Sequence, residues 1–541
     1  MAAVSAGRVA ATYRVFTETN DEGTHLACGL EWIERGTYSF EHLHPPLARV
    51  AVALGPYLAG ARLGDGWRDD AGTDALYRGG YFRLLSLARL GILPFLLLSI
   101  LVVWLQSERL LGVHGGVLAV LLLTGLPPIL AHSGVATNDM PVAACLVAAF
   151  YAFARWLENP SPAASVALGV TVALACLAKA TAVFFFPLGA AAILLCHIGR
   201  TGSGEELVAP SAAGAREAVR AIRAFLRPAC GVLLVAVLVF WAGYRFSLAP
   251  VAEADPDLPQ RLERRLAGAG PLAKTVSAMA QKLPVPAPEA WSGLVQLRNR
   301  LLNDQESYFL GKVVKNGHRL FFPVVFAVKT PLPFLILLFV GVAAVFRPGR
   351  RAARQVAPPL AAAVLIFVPC LWSKVNLGVR YLLPIYPLLA MVAAAGALEL
   401  WRSRRWLARV AVVVLLFCHV AVSIQAHPDY LAYFNALAGR DPGRIVVDPD
   451  LDWGQDLQRL AREVSSRGIT ELHLAYYGAA RPNMHIHAKI VATRRDVRPE
   501  GWVAISETPL RSRPQDFPWL RGVEPLGRAG RSILLYYLPR H

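Results

Sequence analysis

Stretches of 15 or more residues without Asp, Glu, Lys or Arg place helical spans at about 82–105, 113–131, 136–157, 163–178, 181–198, 229–248, 320–346, 357–373, 378–400 and 407–426. A helix that crosses a bilayer needs roughly 20 predominantly apolar residues. The pattern therefore predicts an α-helical polytopic membrane protein with about 10 to 11 transmembrane helices, the eleventh being a span expected ahead of residue 1. Polar stretches divide the rest. Residues 1–81 read as an external first loop with juxtamembrane helices, and 82–426 as the transmembrane domain. That domain is interrupted by an external loop, 249–319, whose amphipathic piece Leu294–Leu302 is expected to lie against the membrane surface. At His427 the pattern changes to short strand-like runs (Arg444–Val447, Leu472–Tyr476, Trp502–Ile505, Ile533–Leu538) with a helical stretch, Gly454–Val464. This predicts a small α/β domain over 427–541.

Charge orients the spans. The chain carries 55 Lys and Arg against 37 Asp and Glu, a net charge of +18, which on a soluble domain would point to nucleic acid. Here the basic residues fall mostly in short connections between apolar runs, so no nucleic acid is expected. The connections 106–112, 155–162, 199–228, 347–356 and 401–409 hold 15 Arg or Lys, against three (Lys179, Lys374 and Arg380) in the short connections of the opposite face. The positive-inside rule puts the first set in the cytoplasm and residues 1–81, 249–319 and 427–541 outside. The first twenty residues contain Arg8 and Arg14 and no long apolar core, so no secretory signal peptide is read. None of the seven Cys forms a CxxC pair, which leaves no disulfide framework or zinc ribbon.

Candidate chemistry gathers on the external face. Asp21-Glu22 precede Glu41-His42-Leu43-His44-Pro45-Pro46 in the first segment, and His132 to Pro141, with Asn138 and Asp139, joins two spans on the same side. A carboxylate held at a dry membrane face can take a proton from an acceptor hydroxyl, although Asn20, Asp21 or Asp139 would equally serve as a helix cap. Lys179, Lys374 and Arg380 sit at that face, with Tyr381 following, and Lys329 lies about nine residues inside a span. A lysine in lipid costs roughly 2.5 to 3.5 kcal/mol on insertion scales, so it is usually paired or functional. Several cations beside carboxylates fit a lipid phosphate, although Lys374 and Arg380 would also serve as headgroup anchors. In the tail, Asp448 to Asp456 imitates a calcium loop but has Trp453 where Gly and Arg459 where Glu are required, and a capping box of Asp452 and Gln455 explains it instead. His485 and His487 read as an exposed pair. No P-loop or GxGxxG run is present to hold a nucleotide.

Five stretches in this order resemble the bacterial phospholipid-carrier-dependent glycosyltransferases related to protein O-mannosyltransferases and lipid A aminoarabinose transferases: Asp21-Glu22 with His44-Pro45-Pro46, Ala131-His132-Ser133 to Asp139-Met140-Pro141, Lys329-Thr330-Pro331-Leu332-Pro333, Arg380-Tyr381-Leu382-Leu383-Pro384, and Asp452-Trp453-Gly454-Gln455-Asp456. The resemblance implies a GT-C fold in the bacterial inner membrane, an active site and C-terminal domain outside the cytoplasm, a polyprenyl-phosphate sugar as donor and an envelope acceptor. It implies Asp21, with Glu22, as the catalytic acid motif and Asp139 as the second-loop carboxylate. Lys329 and Arg380, and less directly Lys374 and Lys179, map to the phosphate-contacting cations. A divalent metal is left open, with Glu41, His42 and His44 as conceivable ligands. The rival from another class is a transporter or lipid flippase, which typically shows inverted repeats and broken helices at the midplane. No repeat is visible here.

Overall fold

The computed structural model describes residues 1–64, 68–201, 212–255, 258–265, 271–347, 349, 351–403 and 405–539. Among these, six helices are long and apolar enough to cross a membrane: Tyr81–Leu111, Asp139–Glu158, Ala182–Gly199, Leu226–Gly243, Val379–Trp401 and Trp406–Gln425. Two pairs are broken spans, Val113–Thr124 with Pro127–Ser133 and Phe321–Lys329 with Leu332–Phe346, bent by 67° and 115°. The shorter apolar helices Pro162–Ala178 and Ala357–Cys370 fall on the remaining predicted runs. The chain is a multi-pass membrane protein. Part of the connection 199–228, whose charges helped set the orientation, lies outside the described residues.

The expectation of single spans at 113–131 and 320–346 is corrected by Pro127 and Pro331. The residue before a proline is pushed out of the helical region, and Thr330 is extended at φ −99°, ψ 132°. The break frees carbonyls that lipid cannot satisfy. Asn435 of the tail supplies the donors: its Nδ2 donates to the carbonyls of Ala327 and Thr330, both at 2.6 Å, and its backbone N–H to Val328 at 2.8 Å.

Val379–Trp401 runs through the centre, buried on nearly every side, and its small-residue run Ala393–Ala397 lets Leu332–Phe346 approach closely. A Cβ on Gly396 would lie 2.1 Å from the Leu337 carbonyl oxygen. Such close backbone contact is how helices associate in lipid, where burial of apolar surface offers no drive. Leu226–Gly243 and Trp406–Gln425 carry exposed apolar faces (Leu233, Leu234, Val237; Val413, Val414, Phe417) and form the lipid-facing periphery.

Outside the spans, the first segment forms helices Glu22–Glu34, Pro46–Leu58 and Arg68–Arg78, and the loop that follows Gly243 contains the amphipathic helix Pro288–Leu302 and, after it, an antiparallel hairpin of Glu306–Phe309 and Lys312–Lys315. The tail is α/β as predicted, with differences in detail. Its sheet has five strands, in the spatial order Lys489–Ala492, Glu471–Ala475, Gly501–Ser506, Ile533–Leu538, Gly527–Ala529, the first three parallel and the last two antiparallel to their neighbours. Residues 444–447 are not a strand, because Pro442 and Pro449 bracket them in turns. The helix is Leu457–Ser466, and Asp452 and Gln455 do not cap it. His485 is not exposed on the surface either, since its Nε2 meets the Tyr77 hydroxyl at 2.8 Å and docks the tail on the first segment.

Candidate functional site

Four chain segments meet at one end of the helix bundle, each ending in a charged side chain. Asp21 precedes helix Glu22–Glu34 but makes no side-chain cap bond; its Oδ2 instead accepts from Arg380 Nη1 at 2.6 Å. Asp139 opens helix Asp139–Glu158 and is fully buried. Its Oδ1 accepts from Lys179 Nζ at 2.5 Å, and its Oδ2 lies 3.3 Å from the Thr137 hydroxyl and 4.0 Å from Arg380 Nη1. Arg380 thus stands between the two carboxylates. It reaches them because Val379–Ile385 is a 3-10 segment started by Gly378, at φ +71° and against Asp450, where a Cβ would lie 2.6 Å from Oδ2. Lys179 interrupts the Pro162–Ala178 helix before Ala182, and its Nζ lies 4.9 Å from the Tyr381 ring centre.

Glu22 holds the two loops in register. Both of its oxygens pair with Arg89 at 2.8 Å, and they also accept from the backbone N–H of Thr19 at 2.8 Å and of Ala136 at 2.7 Å. With all lone pairs engaged and 1% exposure, Glu22 ties the Asp21 turn to the 134–138 turn.

A cavity of about 290 Å³ reaches this cluster at Lys179. Its walls are mostly apolar (Leu43, Phe184, Phe185, Leu297, Phe322, Trp372), and exposed Phe184 and Trp372 bring it to the lipid side. The polar groups in it include Lys179, Arg300, His44 and Tyr381. Burial and the Lys179 charge push the His44 imidazole down to about 3, so it stays neutral, and its Nδ1 is buried without a partner. Arg300, on the amphipathic helix Pro288–Leu302, was not among the expected site residues; the period of that helix was the available signal. Asp448 was also missed. It bonds to Tyr477, and burial pushes its carboxyl up to about 6.

Other expected residues lie apart, except Asn138, which immediately precedes Asp139. Lys329, at the broken span, donates to the carbonyls of Leu431 at 2.6 Å and Asp450 at 2.7 Å. Lys374 donates to the Leu302 carbonyl at 3.3 Å, beside the end of the amphipathic helix. Asn138 is buried at the N-cap position with its Nδ2 unpartnered. Glu41 pairs with Arg49 and His42 Nδ1 meets Ser292 Oγ at 2.9 Å, so the first-segment acid and histidines do not converge. Among the described residues no group of three or more His, Cys, Asp or Glu is arranged to hold a metal.

Residues 87–205 match the family model described as dolichyl-phosphate-mannose-protein mannosyltransferase. Among solved structures, the chain is similar to ArnT from Cupriavidus metallidurans bound to undecaprenyl phosphate, with 13% identity, coverage of 98% of this chain and 96% of that one, and a TM-score of 0.49. It is also similar to the archaeal oligosaccharyltransferase AglB from Archaeoglobus fulgidus in complex with an inhibitory peptide and a dolichol-phosphate, with 14% identity, coverage of 97% and 72%, and a TM-score of 0.46. The arabinosyltransferase EmbB from Mycobacterium smegmatis follows with 12% identity, coverage of 81% and 38%, and a TM-score of 0.36. No curated protein sequence matches the chain. The family match bears out the membrane-glycosyltransferase reading of the sequence over the transporter alternative.

Proposed function

We propose that this chain transfers a sugar from a polyprenyl-phosphate donor to an envelope acceptor at the extracytoplasmic face of a bacterial inner membrane. The observation that carries the reading is the apolar, lipid-side cavity that ends on Lys179 beside the Asp139–Arg380–Asp21 cluster. An isoprenoid chain occupies the apolar walls, and its phosphate comes to rest at Lys179 and Arg300, with Arg380 within reach. The acceptor oxygen attacks the anomeric carbon as the bond from that carbon to the phosphate oxygen breaks, and the acceptor proton passes to Asp21. In-line attack inverts the anomeric centre. The three cations receive the charge that develops on the departing phosphate, where preorganised donors in a dry site act most strongly.

Asp139 is buried beneath this arrangement and acts by fixing Lys179 and Arg380. Tyr381 and neutral His44 shape the cavity, and Asn138 sets the turn that presents Asp139. Lys374 steadies the end of helix Pro288–Leu302. Glu22 is assigned to holding the loops rather than to proton transfer, since Arg89 and two backbone N–H groups already occupy its oxygens.

The test is transfer by the purified protein in vesicles containing polyprenyl-phosphate sugars, with mass spectrometry of envelope lipids, glycans and proteins from cells with and without the gene to identify sugar and acceptor. Transfer that falls when Arg300 is replaced by Ala, through a donor KM raised roughly 10-fold or more, is expected for loss of one charge-assisted phosphate contact. Movement of the intact donor between leaflets without transfer would overturn the reading in favour of a flippase.

A further inference from the structure

The acidic run Asp448 to Asp456 is spent on one turn. Asp452 Oδ1 accepts from the Gly454 N–H at 3.3 Å and its Oδ2 from Thr508 N–H at 2.9 Å. Gln455 Oε1 accepts from Trp453 N–H at 2.7 Å while its Nε2 donates to the Leu451 carbonyl at 2.9 Å. Asp456 Oδ2 accepts from the N–H groups of Arg531 at 2.9 Å and Ser532 at 3.0 Å. Gly454 supplies the turn at φ +87°. These bonds pin the turn to helix Glu507–Ser512 and to the turn before strand Ile533–Leu538, and leave Trp453 to face the membrane domain.

That turn touches both segments that carry the site's opposite charges. The Trp453 carbonyl accepts from Asn20 N–H at 3.2 Å, one residue before Asp21, and the Gln455 carbonyl from Thr17 N–H at 3.0 Å. Asp450 Oδ1 accepts from Val379 N–H at 3.0 Å, one residue before Arg380. The Trp453 ring, 2% exposed, lies with its centre 4.8 Å from Arg380 Cζ and 6.1 Å from the His132 ring. Arg380 Nη1 faces Asp21 and Asp139, whereas its Nε is buried without a partner. The hydrogen bond to Asp21 and the ion pair with Asp139 therefore fix one corner of the guanidinium plane, and the indole face fixes the rest.

We propose that Trp453 is a positioning residue that sets the Arg380 guanidinium between Asp21 and Asp139, which makes the C-terminal domain part of the catalytic unit. The inference rests on the glycosyl-transfer reading above. It is tested by turnover of the full-length protein in vesicles with a polyprenyl-phosphate sugar, for Trp453→Leu, Trp453→Phe, Arg380→Lys and each double variant. Trp453→Leu should lower kcat roughly 10- to 30-fold, the weight of a desolvated cation–π contact. Trp453→Phe, which keeps an aromatic face, should recover to within about threefold of wild type. In the Arg380→Lys background the Trp453 exchanges should cost less than about threefold, because residues that act through one another are not additive. A tryptophan that merely fills space would lower activity by the same factor in both backgrounds, and that additivity would overturn the proposal. If Trp453→Leu fails to assemble, Trp453→Met, which also lacks an aromatic face, takes its place in the cycle with the same roughly 10- to 30-fold loss expected. A wild type that transfers while the cycle is additive sinks this inference alone, whereas a wild type that transfers nothing sinks the functional reading and this inference with it.

Discussion

Replacing Lys329 with Met separates two roles that the sequence alone would merge. A lysine within an apolar span, beside a site for lipid phosphate, reads as a phosphate ligand. In the fold its Nζ instead donates to the carbonyls of Leu431 and Asp450, with the Phe434 ring centre 4.2 Å away and 1% of the residue exposed. Lys329→Met keeps the length and most of the volume but leaves the buried Asp450 carbonyl and the half-buried Leu431 carbonyl without donors. Each unsatisfied group costs about 1–3 kcal/mol, and relief from burying an ammonium returns part of this, so a net loss of about 2–4 kcal/mol is expected. The loss should appear as a lower unfolding midpoint in detergent and as faster proteolysis near 426–435, where the tail meets the broken span. The donor KM of the surviving folded protein should stay within about twofold of wild type. A Lys329→Met protein with the wild-type midpoint and a donor KM raised tenfold or more would refute the reasoning and return Lys329 to the phosphate.

Three further outcomes are expected. Asp21→Asn should reduce transfer on the order of 100- to 10,000-fold at unchanged expression, the usual range for a lost general base; retention of a tenth of wild-type turnover would move that role to another carboxylate, with Asp448 the next to replace. Burial beside Glu22 pushes the Glu18 carboxyl up to about 8 from 4.5, so the folded state keeps a proton that the unfolded chain releases, and this group's contribution to stability falls as pH rises between those values. Glu18→Gln, which can still accept from Thr73, should therefore stabilise the protein at pH 7 by on the order of 3 kcal/mol, with no difference left at pH 4; equal melting curves at pH 7 would refute it. In a background without the native cysteines, Ala215→Cys should react with an impermeant thiol reagent only from the cytoplasm and Gln515→Cys only from outside, and labelling of both from one side would overturn the orientation.

Much of this protein was legible along the chain because the bilayer imposes a local rule. Each span must be apolar for its own length, so the ten runs and the α/β tail follow from composition and period without knowledge of partners. The crowding of Asp21, Asp139, Lys179 and Arg380 on one face follows from counting spans and charges between them. The pairings within that crowd were not legible. Asp21 and Arg380 are 359 residues apart in sequence, and their contact depends on a 3-10 segment, a glycine pressed against Asp450 and a tryptophan from the tail. The same limit explains why Glu22 looked like a second catalytic acid until Arg89 and the Ala136 N–H were found on it, and why Asp452 and Gln455 looked like a helix cap. A carboxylate's role is set by which donors reach its oxygens, and those donors arrive from elements distant in sequence. Periodicity reports only which face of an element is apolar, whereas the tertiary packing of the first segment, the spans and the tail decides which charges meet there.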